Sequence, residues 1–120
     1  MTFSKHIDEN IRDDQIIQMY FDRNEEAIVH TKKKYGKLCY SISGNILSDQ
    51  YDVDECMNDM YIAVWNTIPP QNPSSLKLYV CKLIRRISVN KSIYNNSKKR
   101  DKRKTVSYEE IEAELCAIFD

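Results

Sequence analysis

Four cysteines, Cys39, Cys56, Cys81 and Cys116, and two histidines, His6 and His30, are the side chains of this 120-residue chain best suited to hold a metal or act as nucleophiles. Zinc sites are built from ligand pairs roughly two to four residues apart, and these cysteines are far more widely spaced. A disulfide framework needs an oxidising compartment, so the thiols read as small core residues. The histidines have no partner pattern and read as surface or core packing. Carboxylates are numerous, yet Asp54, Glu55 and Asp59 stand beside one another on what looks like an open helix face. Acid–base catalysis there would require burial to raise a pKa. With no Gly-rich phosphate loop, no nucleophile pattern and no metal triad, the expectation is a protein that is not an enzyme and carries no cofactor.

Charge points instead to binding. Lys plus Arg and Asp plus Glu each number 18, for a formal charge of zero, but the distribution is uneven. Residues 49–66 hold Asp49, Asp52, Asp54, Glu55 and Asp59 with no Lys or Arg, whereas residues 77–104 hold eleven basic residues against Asp101 alone. Residues 105–120 turn acidic again. One acidic and one basic surface suit two partners, one cationic and one polyanionic. Lys82, Arg85 and Arg86 on one helix face, with Tyr79 and Tyr94 nearby and a basic run behind, have the makings of a groove that tracks a nucleic-acid backbone and offers rings to its bases.

The elements that must position these residues are helical. Two Gly and three Pro are too few for the many tight turns of a β-sandwich or barrel, and 42% hydrophobic residues suffice for one core. The expected architecture is an all-α bundle of about four helices plus a C-terminal linker helix, behind a loosely docked arm over residues 1–12. Apolar runs are too short to cross a membrane and there is no leader-like segment, so a cytoplasmic protein is expected.

A first helix fits Asp13 to Phe21, with Ile16, Met19 and Tyr20 as its stripe. Asn24 reads as the N-cap of a long second helix, favoured by Glu25 and Glu26 at its positive end. Ile28, Tyr35, Leu38, Cys39, Ile42 and Ile46 should form its inner face, while Lys32, Lys33, Lys34 and Lys37 lie in water; Gly36 and Gly44 would permit a close neighbour. Leu47 to Tyr51 reads as a turn, with Asp52 capping a third helix to about Thr67. At about 100° per residue, Val53, Met57, Met60, Val64 and Ile68 share one arc, and Asp54, Glu55, Asn58 and Asp59 form an acidic ledge opposite.

Pro69-Pro70 and Pro73 make residues 68–75 a non-helical loop. A fourth helix should start at Ser74 or Ser75 and bury Leu76, Tyr79, Val80, Leu83 and Ile87, with Lys82, Arg85 and Arg86 turned to solvent. Beyond Asn90 the chain is polar, and the basic run 98–104 reads as unstructured or as a fraying helix end. Ser107 to Glu110 is a capping-box pattern that would open a last helix with Tyr108, Ile111, Leu115 and Ile118 as its apolar face.

These segments, Arg23 to Ile28, Tyr35 to Leu47, Asp52 to Asn66, Ile68-Pro69-Pro70 and Tyr79 to Arg85, resemble region 2 of bacterial RNA polymerase sigma factors of the extracytoplasmic-function type. The likeness runs from about Asp14 to Lys104, in the family's order and spacing. It implies a helical domain over residues 13–97 whose third helix docks on the clamp helices of the polymerase's largest subunit through Asp54, Glu55, Asn58 and Asp59. It further implies that the loop after that helix and the next helix hold the non-template strand of the melted minus-ten promoter element, with a base flipped into a pocket. By position the DNA-binding residues would be Asn72, Ser74, Tyr79, Lys82, Arg85, Arg86 and Asn90. Capturing an unstacked base offsets the unstacking cost, and Lys and Arg neutralise phosphates.

Three residues depart from the pattern. Asn58 stands where Gln is usual, shortening that contact by one methylene, while Arg86 and Asn90 replace a frequent Asn and Asp, so the promoter preference does not carry over. Trp65 matches the family's tryptophan, as core anchor or as part of the interface. Residues 98–120 look like the basic segment and linker toward a second, helix-turn-helix domain that the chain lacks; one domain of a longer factor, or a short product unable to read a whole promoter alone, is expected. An anti-sigma factor is the regulator the likeness implies. The alternatives are a helical protein-interaction domain with a solubilising basic tail, including an anti-sigma target lacking polymerase activity, and an autonomous duplex-DNA binder. The last would need a shorter turn between helices than residues 68–75 allow.

Overall fold

The computed structural model describes residues 10–100, which form four α-helices: α1 (Asp13–Phe21), α2 (Glu26–Ile46), α3 (Gln50–Thr67) and α4 (Leu76–Arg100). The architecture is an all-α bundle, with no strand among the described residues. The expected final helix, the basic residues beyond Arg100 and Cys116 lie outside them. Of the arm expected over residues 1–12, residues 1–9 lie outside the described residues, and its end is held: the Lys34 ammonium donates to the Ile11 carbonyl at 2.7 Å, and the Arg12 N–H donates to the Gln15 side chain at 3.0 Å, closing the start of α1.

α3 runs antiparallel to α2, because Tyr61 near its end meets Gly36 while Asp54 near its start faces Lys37 and Tyr40. α2 and α4 run side by side in the same sense, with Cys39 beside Cys81 and, further on, the Ser88 hydroxyl donating to Ser43 at 2.7 Å. α1 lies across the start of α2 and α4. The core is filled by Ile16 and Tyr20 from α1, Val53, Met57, Met60 and Val64 from α3, Ile68 just after it, and Leu76, Val80 and Ile84 from α4. The inward arc expected for α3 is therefore the buried one.

α2 departs from its expected stripe. Its buried residues are Ala27, His30, Thr31, Cys39 and Ser43, while Leu38 is 38% exposed and Ile28, Tyr35, Ile42 and Ile46 pack along the flanks. The reason is position: α2 touches every other helix, so apart from His30 its innermost line takes small side chains or hydroxyls that can pair, and larger apolar ones are displaced sideways. Gly36 does serve close approach, since a Cβ there would lie 3.3 Å from the Tyr61 hydroxyl; Gly44 has nothing within 4 Å. Burial pushes the Cys39 thiol up to about 12 and raises those of Cys56 and Cys81, as suits core residues.

Helix ends follow local chemistry. Asn24 caps α2 from two residues ahead, its side chain accepting from the Glu26 N–H at 3.0 Å and its carbonyl from Ala27 at 3.0 Å. α3 starts earlier than expected: Asp49, not Asp52, is the N-cap and accepts from the Tyr51 N–H at 3.0 Å. Ser75 caps α4 through its hydroxyl and carbonyl, accepting from Leu78 and Tyr79. α4 also continues well past Asn90, because Val89 and Ile93 are buried and Asn95 reaches Asp52 at 3.0 Å.

Asp13 ties the beginning of α1 to the middle of α2, accepting from Lys34 at 2.8 Å and from the Tyr35 hydroxyl at 2.7 Å. Partial burial pushes its carboxyl upward, but these hydrogen bonds and the Lys34 charge together outweigh burial and leave it below the usual 3.8. A depressed carboxylate contributes stability that is complete above its unfolded pKa and fades as pH falls through the folded value. Asp13→Asn is thus expected to be less stable than the native chain at neutral pH, with the gap closing below about 3.8; urea midpoints measured across that range check it, and a gap independent of pH would assign the loss to packing.

Candidate functional site

The acidic ledge exists and is open. Asp54, Glu55, Asn58 and Asp59 are all exposed on α3, because Val53, Met57 and Met60 occupy its inner arc. The four are not equivalent. Asp54 and Asn58 lean toward α2 and, with Tyr61, line one wall of an open groove of about 450 Å³ whose other wall is Lys32, Lys37 and Tyr40. Glu55 lies on the α4 side, where the Lys91 ammonium stands 3.1 Å from it and 3.9 Å from Asp52. The Glu55 hydrogen bond is the main reason the Lys91 pKa is raised.

On α4, Lys82, Arg86 and Asn90 are exposed, as expected of a basic face. Arg85 is not on it. One step beyond Cys81 and close to Ser88 in angle, it falls on the flank that packs toward α2 and is half-buried. Tyr79 is also recessed: its hydroxyl donates to Thr67 at 2.7 Å, and the Thr67 hydroxyl donates on to the Ala63 carbonyl at 2.8 Å. Tyr79 therefore fastens the two ends of the loop, while Tyr94, 52% exposed, is the open aromatic of this helix. In the loop, Asn72 and Ser74 are exposed and Ile68 is buried, so the polar tip is presented from an anchored base.

That base is held by Arg23, whose role the periodicity of the sequence does not reveal. Its guanidinium donates to the Trp65 carbonyl at 3.1 Å and the Ile68 carbonyl at 3.0 Å, satisfying the free end of α3, and stacks 3.6 Å above the Trp65 ring. Trp65 in turn lies 6.1 Å from the Tyr20 ring, so it is anchored in the body of the domain. Arg23 itself adopts φ 57°, the left-handed region that costs a residue with a Cβ about 1 kcal/mol. Arg23→Ala is expected to lower stability by about 2 kcal/mol, and Arg23→Gly by about 1 kcal/mol less because glycine is unstrained there. Chemical denaturation of both variants separates side chain from backbone; equal losses would leave the strain without consequence.

Among the described residues no three of His, Cys, Asp and Glu are placed to hold a metal ion, and no helix is long and apolar enough to cross a membrane. Comparison with protein-family models, with curated proteins and with solved structures returned no match. The site therefore stands on its own geometry: one acidic and one basic surface carried by adjacent, antiparallel helices.

Proposed function

We propose that this chain is a promoter-recognition and melting module that works on core RNA polymerase, in the manner of region 2 of an extracytoplasmic-function sigma factor. The observation that carries the reading is the separation of charge between neighbouring helices: Asp54, Asn58 and Asp59 open on α3, Lys82, Arg86 and Asn90 open on α4, with the Asn72–Ser74 tip beside the start of α4. The acidic surface is the docking face for the cationic side of the polymerase clamp helices. The loop tip and the α4 cations receive the unpaired non-template strand, where phosphates meet Lys and Arg and a flipped base is held near the tip. Arg85 and Tyr79 support that surface from inside rather than lining it.

The test is co-purification of the full chain with core RNA polymerase, followed by binding of a minus-ten-like single strand to the complex. Retention on the core enzyme and a DNA affinity that falls steeply with salt are the expected results. A chain that passes through without binding core enzyme leaves the helical protein-interaction reading in its place.

A further inference from the structure

Lys82, Arg86, Asn90, Tyr94 and Lys98 follow one another at four-residue steps along α4, and all five are exposed. At about 1.5 Å and about 100° per residue the line covers about 24 Å and wraps about 160° around the helix as it climbs. Most of it is cationic or polar, but Tyr94 places an open ring within it. The Lys91 ammonium lies 5.6 Å from the centre of that ring and the Lys98 ammonium 5.5 Å. A lone exposed aromatic needs no explanation. A half-exposed ring on a line of cations, with an ammonium group reaching over it from the turn before and another from the turn after, matches a ligand that has both flat rings, which can displace a flexible lysine from the ring, and phosphates, which those lysines can meet. Lys91 is itself held in place by Asp52 and Glu55 of α3, so the ring's surroundings are fixed by a second helix.

We propose that Tyr94 is a stacking platform for one unpaired base of a single-stranded nucleic acid whose phosphates follow Lys82, Arg86 and Lys98. The inference rests on the function proposed above. It adds a contact about 27 Å along α4 from Leu76, at about 1.5 Å for each of the intervening residues, far from the loop tip that receives the flipped base. Base–aromatic stacking tolerates any sequence because every base has a π-face, so this contact strengthens the hold on an opened strand without adding to promoter choice.

The experiment measures fluorescence anisotropy of the full chain, at low salt, with two labelled strands of about a dozen nucleotides: oligothymidylate, and an abasic strand that keeps the phosphates and lacks the bases. Tyr94→Ala is expected to weaken oligothymidylate binding about five-fold or more, Tyr94→Trp to restore it, and the abasic strand to bind the native chain and Tyr94→Ala alike. Unchanged oligothymidylate binding by Tyr94→Ala, with loss of binding by Lys82→Glu plus Arg86→Glu, would overturn the platform and leave the proposed function standing. An equal loss on the abasic strand would also overturn stacking. If the native chain alone binds neither strand in a salt-dependent way, the platform is overturned, while the function proposed above is judged separately by strand binding to the complex with core enzyme.

Discussion

Asp54→Lys combined with Asp59→Lys is expected to abolish retention of the chain by core RNA polymerase while leaving the fold intact. Both side chains are exposed and outside the core, and exposed substitutions of this kind usually alter stability by about 0.5 kcal/mol or less each. The effect on a cationic partner is far larger, because like charges brought face to face at an interface cost several kcal/mol, and each ~1.4 kcal/mol is tenfold in affinity. Asp54 also borders Lys32 and Lys37 across the α2–α3 groove, so its reversal extends the positive surface rather than merely neutralising one point. Pull-down against core enzyme, paired with a thermal melt of the same variant, separates lost docking from lost folding. Native-level retention with an unmoved melt would take the ledge out of the docking surface.

Tyr20→Ala has the largest expected effect on stability, about 3–5 kcal/mol. Tyr20 is fully buried, packs against Trp65, and places its hydroxyl 2.6 Å from that of Thr31. The single Thr31 proton goes to the Ala27 carbonyl at 2.8 Å, so Tyr20 is the donor to Thr31. Burial pushes the Tyr20 phenol up to about 12. Removing the ring opens a cavity where α1, α2 and α3 meet and leaves Trp65 held by Arg23 alone of these two partners, whereas Tyr20→Phe removes one hydroxyl from a Thr31 that keeps its own acceptor and costs about 1 kcal/mol. Domains of this size have only about 5–15 kcal/mol in total, so the alanine variant should stand close to unfolding in water. Urea titration checks both, and a Tyr20→Ala midpoint near that of Tyr20→Phe would mean that the ring contributes little.

Where sequence and structure agree, the governing interactions are local. The limits of α1, the Ser75 cap, the proline loop and the inward arc of α3 depend on neighbours within a turn or two, and each was legible from residue type and spacing. The openness of Asp54, Glu55, Asn58 and Asp59 followed from that arc. Where they differ, a distant partner decides. Thr31 and Ser43, absent from the apolar stripe expected of α2, are buried because Tyr20 and Ser88 supply their hydrogen bonds from other helices. The polar stretch after Asn90 stays helical because Asp52, about forty residues earlier, receives Lys91 and Asn95. Arg85 and Tyr79 fall on the right helix, but Arg85 is half-buried and Tyr79 is drawn inward by Thr67 of α3. No periodicity encodes the left-handed turn at Arg23 or the two carbonyls it reaches.

α3 is sewn to α4 along its whole length: Asp52 to Lys91 and Asn95 at one end, the Cys56 thiol toward the Ile87 carbonyl in the middle, Thr67 to Tyr79 at the other. Neither helix can slide or swivel without parting several of these stitches together. The pair is therefore a caliper: whatever rests against the outer side of α3 is kept at a set offset and angle from whatever lies along α4, and a shift of one jaw carries the other with it.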